Sequence, residues 1–418
     1  MPSPSPNQSQ FSPRDRTHKP SILISTDFEA EPESVHPSAT SVTSASQSLG
    51  VFSPTHSVTP NSAATFASLH ASRYPGWLSH VVQPLSEFID SSLDPRELFA
   101  DLQEIAEGES GSVFSARVLA PPPTHRFVPP TPTSPFRSSA ARQQQAQDMV
   151  ALKAIPIAPE GSPKLLDLRR ELELVRGVRH PNVLKMEGVY VDLVEDSLWI
   201  GMELMERSLA DVLGIRGDED GEAVAVGEKM VARFVWDVLL ALSYLRKQRI
   251  AHRDLRSDNL LLSKDGVLKL ADFSSAVRVP PNAKCSDVAG VVYWQAPEIR
   301  KGRYDPLKVD VWSLGATTWE LVHGEPPFAD VQDPRLIGST LPPVADSDLY
   351  SRSFHDFLHL CSQPVASRPD PDELLNAHFI RTACPRSAIV HLLGQCRVVE
   401  EKILRRQSVD SQGTFTMP

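Results

Sequence analysis

Cysteine and long apolar runs are both scarce in this sequence. None of its cysteines forms a CxxC pair. The four cysteines are Cys285, Cys361, Cys384 and Cys396. This spacing excludes a disulfide framework and a zinc site built on paired thiolates, and it is typical of a reducing compartment. Because the sequence has neither a run of about eighteen apolar residues nor a charged-then-apolar leader, we expect a cytoplasmic protein without a membrane span.

Positive charge is also in deficit, whereas proline is abundant. The 418 residues carry 42 Lys and Arg against 52 Asp and Glu, a net charge of −10 that argues against a nucleic-acid-binding surface. The 37 prolines cluster in segments that are also rich in Ser and Thr. Such segments cannot bury enough apolar surface to offset their ordering entropy, so we expect disorder in them. The predicted plan is a disordered tail at 1–75, a helical extension at 76–98, a domain at 99–379 with a low-complexity insert at 121–147, and a helix and tail at 380–418.

The helical extension has an amphipathic pattern. Apolar residues recur near helical spacing at Trp77, Val81, Leu85 and Phe88, which predicts one helix over Trp77–Ile89. Its apolar face would pack either on the domain or on a partner, and the sequence leaves both possibilities open.

One short stretch carries the clearest chemistry. His252-Arg-Asp254 is followed by Asn259, and Asp272 comes after a predicted hairpin with an Asp-Gly turn. This arrangement suits phosphoryl transfer, in which one carboxylate orients the attacking hydroxyl while an amide and a second carboxylate hold metal ions. The alternative is a buried Asp-rich turn.

Three weaker patterns precede that stretch. Two predicted strands flank a turn with Gly108 and Gly111, where glycine lets backbone N–H groups approach a phosphate, although a plain hairpin would look the same. The next predicted strand carries Lys153, and a charged helix pattern over residues 162–178 contains Glu171. A glutamate that faces the lysine would position it on phosphates, but Glu171 can equally be a solvated helix residue.

Later segments predict a hinge and a helical half. A strand ending at Glu203 would lead into a hinge at Glu203-Leu204-Met205, whose backbone could bond an adenine edge. Helical patterns follow at 229–249, 308–323, 353–361, 371–379 and 388–406.

Together these motifs resemble the eukaryotic protein kinase domain over about Phe99–Phe379, and most closely the PAK kinases of the sterile-twenty group. The likeness is carried by Ile105-Ala-Glu-Gly-Glu-Ser-Gly-Ser-Val-Phe114, Leu198-Trp-Ile-Gly-Met-Glu203, Ser257-Asp-Asn-Leu-Leu-Leu262, Tyr293-Trp-Gln-Ala-Pro-Glu298 and Val309-Asp-Val-Trp-Ser-Leu-Gly315. The resemblance implies an α+β, two-lobed fold: a small antiparallel sheet with one main helix, then a mostly helical lobe, with ATP in the cleft between them.

The resemblance also implies roles for particular residues. Asp254 would accept the substrate's proton, Lys153 would pair with Glu171, and Asn259 and Asp272 would bind Mg²⁺. The implied catalytic set is Asp254, Lys153, Glu171, Arg256 and Asn259. The implied nucleotide-binding set is Ala106, Gly108, Gly111, Val113, Ala151, Lys153, Glu203, Met205, Leu261 and Asp272. The implied structural set is an ion pair of Glu298 with Arg368, and Asp310 beneath the catalytic loop.

Four positions depart from the family pattern. Ala106 stands in place of the first loop glycine, and Arg256 in place of a lysine, with a wider guanidinium fork. Ser274 replaces a glycine, which would cost about 1–2 kcal/mol if that residue needs a left-handed backbone. Val291-Val292 replaces Thr-Pro and so removes a hydroxyl that would bond Asp254 and Arg256.

The activation segment suggests a regulatory substitution. Counting back from Gly290, Asp287 falls where related kinases carry an activating phosphothreonine. Our hypothesis is that Asp287 approaches Arg253 and partly replaces the phosphate, whose charge would be about −1.5 to −2. The alternative is a solvated loop Asp, and Ser286 remains a candidate phosphorylation site.

The sequence as a whole predicts a protein serine/threonine kinase that uses MgATP and a protein substrate. The accumulated departures leave open a pseudokinase scaffold, and Arg256 leaves open a dual-specificity or tyrosine kinase. The segment before Phe99 lacks the paired-histidine motif of GTPase-binding PAK kinases, so binding of a small GTPase is not supported.

Overall fold

A sheet-rich half is followed along the chain by a helix-rich half. The computed structural model describes residues 76–108, 111–120, 149–161, 163–215 and 224–413. The predicted tail at 1–75 and the insert at 121–147 lie outside the described residues. Among the described residues, no helix combines the length and apolarity needed to cross a bilayer.

The first half is a five-stranded antiparallel sheet in the order β1-β2-β3-β5-β4. Its strands are β1 Phe99–Gly108, β2 Gly111–Val118, β3 Met149–Pro156, β4 Met186–Asp192 and β5 Ser197–Glu203. Six of the seven residues of β5 are buried, because apolar clusters cover both faces of the sheet. The one long helix of this half, packed on one face, runs between β3 and β4 and carries Glu171; it is α3, Pro163–Val175.

The extension before β1 corrects the prediction of a single helix over Trp77–Ile89. It forms α1, Trp77–Val82, then a 3₁₀ turn at Gln83–Leu85, and later α2, Pro95–Leu98. The helix stops because Pro84 has no backbone N–H to continue the hydrogen-bond ladder. The extension packs on its own domain, which decides between the two possibilities that the sequence left open.

The second half is built around two long buried helices, α5 and α6. Its helices are α4 Leu209–Gly214, α5 Glu228–Lys247, α6 Pro306–His323, α7 Arg352–Cys361, α8 Pro371–Leu374 and α9 Arg386–Gly413. Its short strands are β6 Arg207–Ser208, β7 Ile250–Ala251, β8 Leu260–Leu262, β9 Leu268–Leu270 and β10 Val277–Arg278. β8 and β9 form the predicted hairpin, and Gly266 supplies the left-handed turn residue with φ 72°.

Two helix predictions in this half differ from the structure. The helix predicted over 371–379 ends at Leu374, and a separate 3₁₀ turn follows at Phe379–Thr382. It ends there because the backbone N–H of Asn376 donates to the Glu373 carbonyl, which forms a 3₁₀ turn. The side-chain amide of Asn376 donates to the Asp372 carbonyl. The last helix, α9, extends beyond both predicted ends.

An ion pair ties the segment before α6 to the segment after α7. Arg368 is 2% exposed, and its Nη1 donates to Glu298 at 2.5 Å and to the Lys308 carbonyl at 2.9 Å. Its guanidinium also lies 5.4 Å from the centre of the Trp312 ring. The pairing implied by the family resemblance is therefore present in the geometry.

Loss of this pair should destabilise the fold. In Glu298→Ala the Arg368 charge would stay buried without its carboxylate, so we expect the free energy of unfolding to fall by about 3–5 kcal/mol. Urea unfolding of the full chain measures this change. The control is Asp356→Ala at the exposed Arg352–Asp356 pair, where we expect a loss below about 0.5 kcal/mol. Equal losses in the two variants would contradict the assignment.

Candidate active site

The loop between β7 and β8 is fixed from below by α6. Asp310 accepts hydrogen bonds from the backbone N–H groups of His252 at 2.8 Å and Arg253 at 2.7 Å. Burial raises the pKa of Asp310, and these two N–H groups and the nearby charges oppose that rise. Arg253 adopts a left-handed backbone with φ 69°, which the double anchor holds in place.

Asp254 and Asn259 face each other across this loop. The Asn259 amide donates to the Asp254 carbonyl at 2.8 Å and to its Oδ2 at 3.1 Å. The other carboxylate oxygen, Oδ1, accepts from the Val291 backbone N–H at 3.3 Å. The hydroxyl expected to be missing at Val291 is therefore replaced in part by a main-chain donor. Gly290 permits this approach, since a Cβ there would lie 2.2 Å from the Arg253 carbonyl oxygen.

Arg256 lies beside the catalytic carboxylate. Its Nε is 3.7 Å from Asp254 Oδ2, and its Nη1 donates to Asp258 at 2.8 Å. The guanidinium also sits 6.0 Å from the centre of the Trp294 ring. The Arg256 guanidinium can therefore interact with an anionic group that binds beside Asp254.

The backbone around Asp272 corrects the expectation about Ser274. The left-handed residue is Asp272 itself, with φ 59°, and Ser274 is not among the residues with positive φ. The serine therefore does not carry the expected strain. Instead its backbone N–H donates to Asp272 Oδ1 at 3.0 Å, and its hydroxyl also bonds the carboxylate.

Two buried oxygens remain available at this point. Within the described residues, Asn259 Oδ1 and Asp272 Oδ2 have no hydrogen-bond partner. An amide and a carboxylate oxygen are ligands that Mg²⁺ prefers, and Mg²⁺ commonly completes its shell with phosphate and water. The described residues contain no group of three or more His, Cys, Asp or Glu side chains that would hold a metal alone. The residues present therefore fit a metal ion that arrives with a phosphate.

Lys153, Glu171 and Asp272 form one buried charge cluster. Burial and the Asp272 charge, opposed by Lys153, raise the pKa of Glu171 to about 7. Burial lowers the pKa of Lys153, although the charges of Glu171 and Asp272 both raise it. The Phe273 backbone N–H donates to Glu171, so α3 is linked to the segment that carries Asp272. Lys153 and Glu171 thus lie close enough for the charge of each to shift the pKa of the other.

A cavity of about 540 Å³ opens at this cluster. It begins at Gly111 and Lys153, passes Glu171 and Ser274, and continues between β3 and α3 along Leu168. Gly111 has φ 133°, and a Cβ there would lie 2.0 Å from the Ala154 carbonyl oxygen. Only glycine therefore lets the turn lie this close to β3. Gly108 ends β1 on the other side of the turn, while residues 109 and 110 lie outside the described part of the chain.

The remaining predicted nucleotide contacts lie together between the two halves. They belong to one buried apolar cluster: Ala106, Val113, Ala151, Met205 and Leu261. Glu203 differs from them, because its carboxylate bonds the Lys185 backbone N–H and the Lys269 ammonium, both at 2.7 Å. Its side chain therefore fixes the start of the hinge, which leaves only its main chain for an adenine edge.

Sequence analysis missed one supporting residue, Glu320. This buried carboxylate accepts hydrogen bonds from the Ser257 hydroxyl and from Trp294 Nε1, the latter at 2.9 Å. Together with Asp310, and with Thr317, whose hydroxyl donates to the Leu255 carbonyl at 3.2 Å, it forms a polar stripe along α6. Polar residues at helical spacing inside an otherwise apolar helix were the available signal.

Asp287 approaches Arg253 as hypothesised. Arg253 Nη1 donates to Asp287 Oδ2 at 2.7 Å and to the Tyr304 hydroxyl at 3.1 Å, and that hydroxyl donates to the Asp287 carbonyl. Partial burial raises the pKa of Asp287, but the hydrogen bond and the charge of Arg253, with smaller hydrogen-bond contributions, together lower it below its usual value. Ser286 is exposed.

A sheet-rich lobe, a helical lobe, and this loop between them define a protein kinase. A family comparison agrees: residues 137–380, more than half of the chain, match the protein kinase domain. The chain therefore belongs to the protein kinase family, whose members in general use ATP and Mg²⁺. The match begins after β1 and β2, although the structure places both strands in the same sheet as β3.

Similar curated proteins are sterile-twenty-group kinases. The chain is 30% identical to serine/threonine-protein kinase pakB of Dictyostelium discoideum, over 76% of this chain and 35% of that protein. It is 30% identical to serine/threonine-protein kinase TAO2 of Xenopus laevis, over 72% and 26%. It is 31% identical to serine/threonine-protein kinase CLA4 of Eremothecium gossypii, over 72% and 38%. The chain thus spans only about a quarter to two fifths of these relatives.

Glu320 should make stability depend on pH. Burial raises its pKa from 4.5 to about 7, so its protonated form favours the folded state. The stability it contributes is complete below about pH 4.5 and is lost as the pH rises through 7. Between pH 5 and 8 we expect wild type to lose up to about 3 kcal/mol more unfolding free energy than Glu320→Gln, at about 1.4 kcal/mol per unit of pKa shift.

Urea unfolding of both proteins at several pH values tests this expectation. Asp348→Asn, at an exposed position in the 3₁₀ turn Ser347–Leu349, is the matched control and should follow wild type. Parallel curves for wild type and Glu320→Gln would show that Glu320 is ionised throughout this range.

Proposed function

We propose that this chain is a protein serine/threonine kinase that transfers the γ-phosphoryl group of MgATP to protein hydroxyls. The observation that carries the proposal is the convergence of Asp254 with two unpartnered oxygens, Asn259 Oδ1 and Asp272 Oδ2, beside the Lys153 ammonium. Phosphoryl transfer relies on positioning and on neutralising charge, which is what this group of residues supplies.

Each residue of the candidate site has a separate role in this proposal. Asp254 accepts the proton of the substrate hydroxyl, and its carboxylate is held ready by the N–H of Val291 and the amide of Asn259. Lys153 would bind the ATP phosphates. Arg256 lies beside Asp254, where its positive charge would stabilise the transferred phosphoryl group. Mg²⁺, when bound by Asn259 and Asp272, would supply positive charge between the phosphates.

The electrostatics of the cluster support an anionic ligand together with a cation. Burial raises the pKa of Glu171 and of Asp272, and it lowers the pKa of Lys153. All three charges are thus only partly compensated by one another. A phosphate near Lys153 and a divalent cation near Asp272 would each favour the ionised form of its neighbour.

Serine and threonine specificity draws support from the printed names of the relatives, which are serine/threonine-protein kinases. The sequence around Gly290 and Tyr293-Trp294 also looks like the Ser/Thr arrangement. A cytoplasmic location, a protein substrate and the absence of a nucleic-acid partner or a small-GTPase partner belong to the same proposal. The domain limits of 99–379 likewise stay a prediction.

Asp254→Asn is the direct test of transfer. We expect incorporation of labelled phosphate into a generic basic protein to fall about 10²- to 10⁴-fold, the usual contribution of a general base. ATP with Mg²⁺ should still raise the melting temperature of the variant, because the nucleotide contacts are intact. Acid hydrolysis of the labelled product should yield phosphoserine and phosphothreonine.

Three outcomes would contradict parts of this proposal. Wild type without transfer, yet stabilised by ATP, would indicate a pseudokinase scaffold. Phosphotyrosine in the hydrolysate would indicate dual specificity, the possibility raised by Arg256. Equal transfer by wild type and Asp254→Asn would remove Asp254 from the mechanism.

We further propose that Asp287 partly replaces an activating phosphate. Its carboxylate already neutralises Arg253, whose side chain is 8% exposed and also bonds the Ser275 carbonyl at 2.7 Å. Through these contacts one arginine links the catalytic loop, the segment after Asp272 and the activation segment. Phosphorylation would bring more charge to this point, but the link exists without it.

Asp287→Ala should lower activity even after phosphatase treatment. We expect kcat/KM to fall about tenfold, since a hydrogen bond between charged groups contributes roughly 1.5–3 kcal/mol and Asp287 is partly exposed. Ser286→Ala, the neighbouring control, should keep wild-type activity under the same treatment. Equal activity of Asp287→Ala and wild type would end this hypothesis.

A further inference from the structure

The outer side of helix α3 is covered by residues Trp77–Ile89, here called the strap. Leu85 and Phe88 of the strap are 0% and 2% exposed. They share one buried cluster with Leu165, Leu168 and Leu172, which recur along α3 at spacings of three and four residues. The strap therefore packs on the helix that carries Glu171, whose Leu165 and Leu168 also line the cavity between α3 and β3.

Polar contacts fix the direction of this packing. Glu87 lies 2.8 Å from Nη1 of Arg176, just after α3, and 3.6 Å from Nη2 of Arg169, in the middle of α3. The Arg176 guanidinium lies 5.5 Å from the centre of the Phe88 ring. These side chains are nearly half exposed, so the ion pairs orient the strap while the apolar contacts hold it.

The strap also joins α3 to the edge of the sheet. Ile89 forms a parallel bridge with Val189 of β4, the edge strand. A few residues later, Arg96 donates twice to buried Asp192 at the end of β4, each time at 2.7 Å. One continuous segment is therefore fastened to α3 and twice to β4.

We propose that the strap is a built-in positioning device that holds α3 against the sheet, so that Glu171 stays directed at Lys153. This inference rests on the proposed kinase activity. Burying the Glu171 carboxylate is costly, so α3 needs apolar contacts elsewhere to keep that residue inside. On the side of the strap, such contacts come from Leu85 and Phe88.

The strap is a positioning segment, since the contacts named above join it to α3 and β4 and not to the catalytic loop. Its loss should change nucleotide handling through Lys153 and leave protein-substrate binding to the helical lobe. The expected signature is therefore a lower kcat and a higher KM for ATP, with an unchanged KM for the protein substrate.

Leu85→Ala in the full chain tests the proposal by two readouts. We expect kcat/KM for ATP to fall at least tenfold. We also expect faster hydrogen exchange at the backbone amides of residues 163–175, with unchanged exchange in α6. Phe88→Ala should behave alike, and Phe88→Leu, which keeps an apolar side chain in place, should recover most of the activity.

Leu98→Ala is the matched control. It removes the same side chain as Leu85→Ala from the same extension, but Leu98 belongs to the cluster on the other face of the sheet, with Tyr190 and Trp199. Equal effects of Leu85→Ala and Leu98→Ala on α3 exchange and on kcat/KM would overturn the proposal. The exchange readout does not need activity. Wild type without transfer but with the predicted exchange difference would therefore refute the kinase proposal alone, leaving the packing role of the strap supported.

Discussion

The rest of this structure depends on one buried charge cluster, Lys153 with Glu171 and Asp272. Taking three ionisable groups out of water is expensive, and their mutual attraction offsets that cost only when the geometry is maintained. Each group comes from a different element: β3, α3, and the segment that follows β9. The cluster therefore forms only if the sheet, its helix and the catalytic loop are all in register.

That requirement explains why the departures from the family pattern are tolerable. Ser274 keeps the backbone N–H that a glycine would offer to Asp272 and adds a hydroxyl, and both hydrogen bonds favour the ionised carboxylate. Val291 offers its main-chain N–H to Asp254 where a side-chain hydroxyl was expected. In both places a main-chain N–H, which does not depend on the side chain, bonds the essential carboxylate.

The local motifs were readable from the sequence because their spacing is set within one loop or one hairpin. Asp254 and Asn259 are five residues apart and bond each other directly, and the β8–β9 hairpin follows from its Asp-Gly turn. Strands and long helices could be predicted to within a few residues. Such features depend on neighbours along the chain, which a sequence displays.

Features that arise from contacts between distant segments could not be read in this way. Glu320 meets Ser257 across 63 residues, and the polar spacing along α6 marks it as unusual without indicating which residue it contacts. The missing glycine raised the possibility of a left-handed backbone at Ser274, whereas the chain places that backbone at Asp272. The break at Pro84 was predictable from proline chemistry, but the apolar spacing on both sides of it outweighed that signal in the prediction.

The hinge has a support of the same long-range kind. Arg207, just after the hinge, makes two hydrogen bonds to Glu400 of α9, at 2.7 and 2.9 Å, and its side chain is 7% exposed. If α9 moved away, this guanidinium would keep its burial cost and lose its counter-charge, so the helix stays docked while the hinge holds its present position. The coupling is reciprocal, because free energy that fixes α9 on Arg207 also opposes displacement of Arg207 from α9. Within the helical lobe, the short strand that follows the hinge is therefore held by a helix residue 193 positions further along the chain, a contact that no local pattern in the sequence displays.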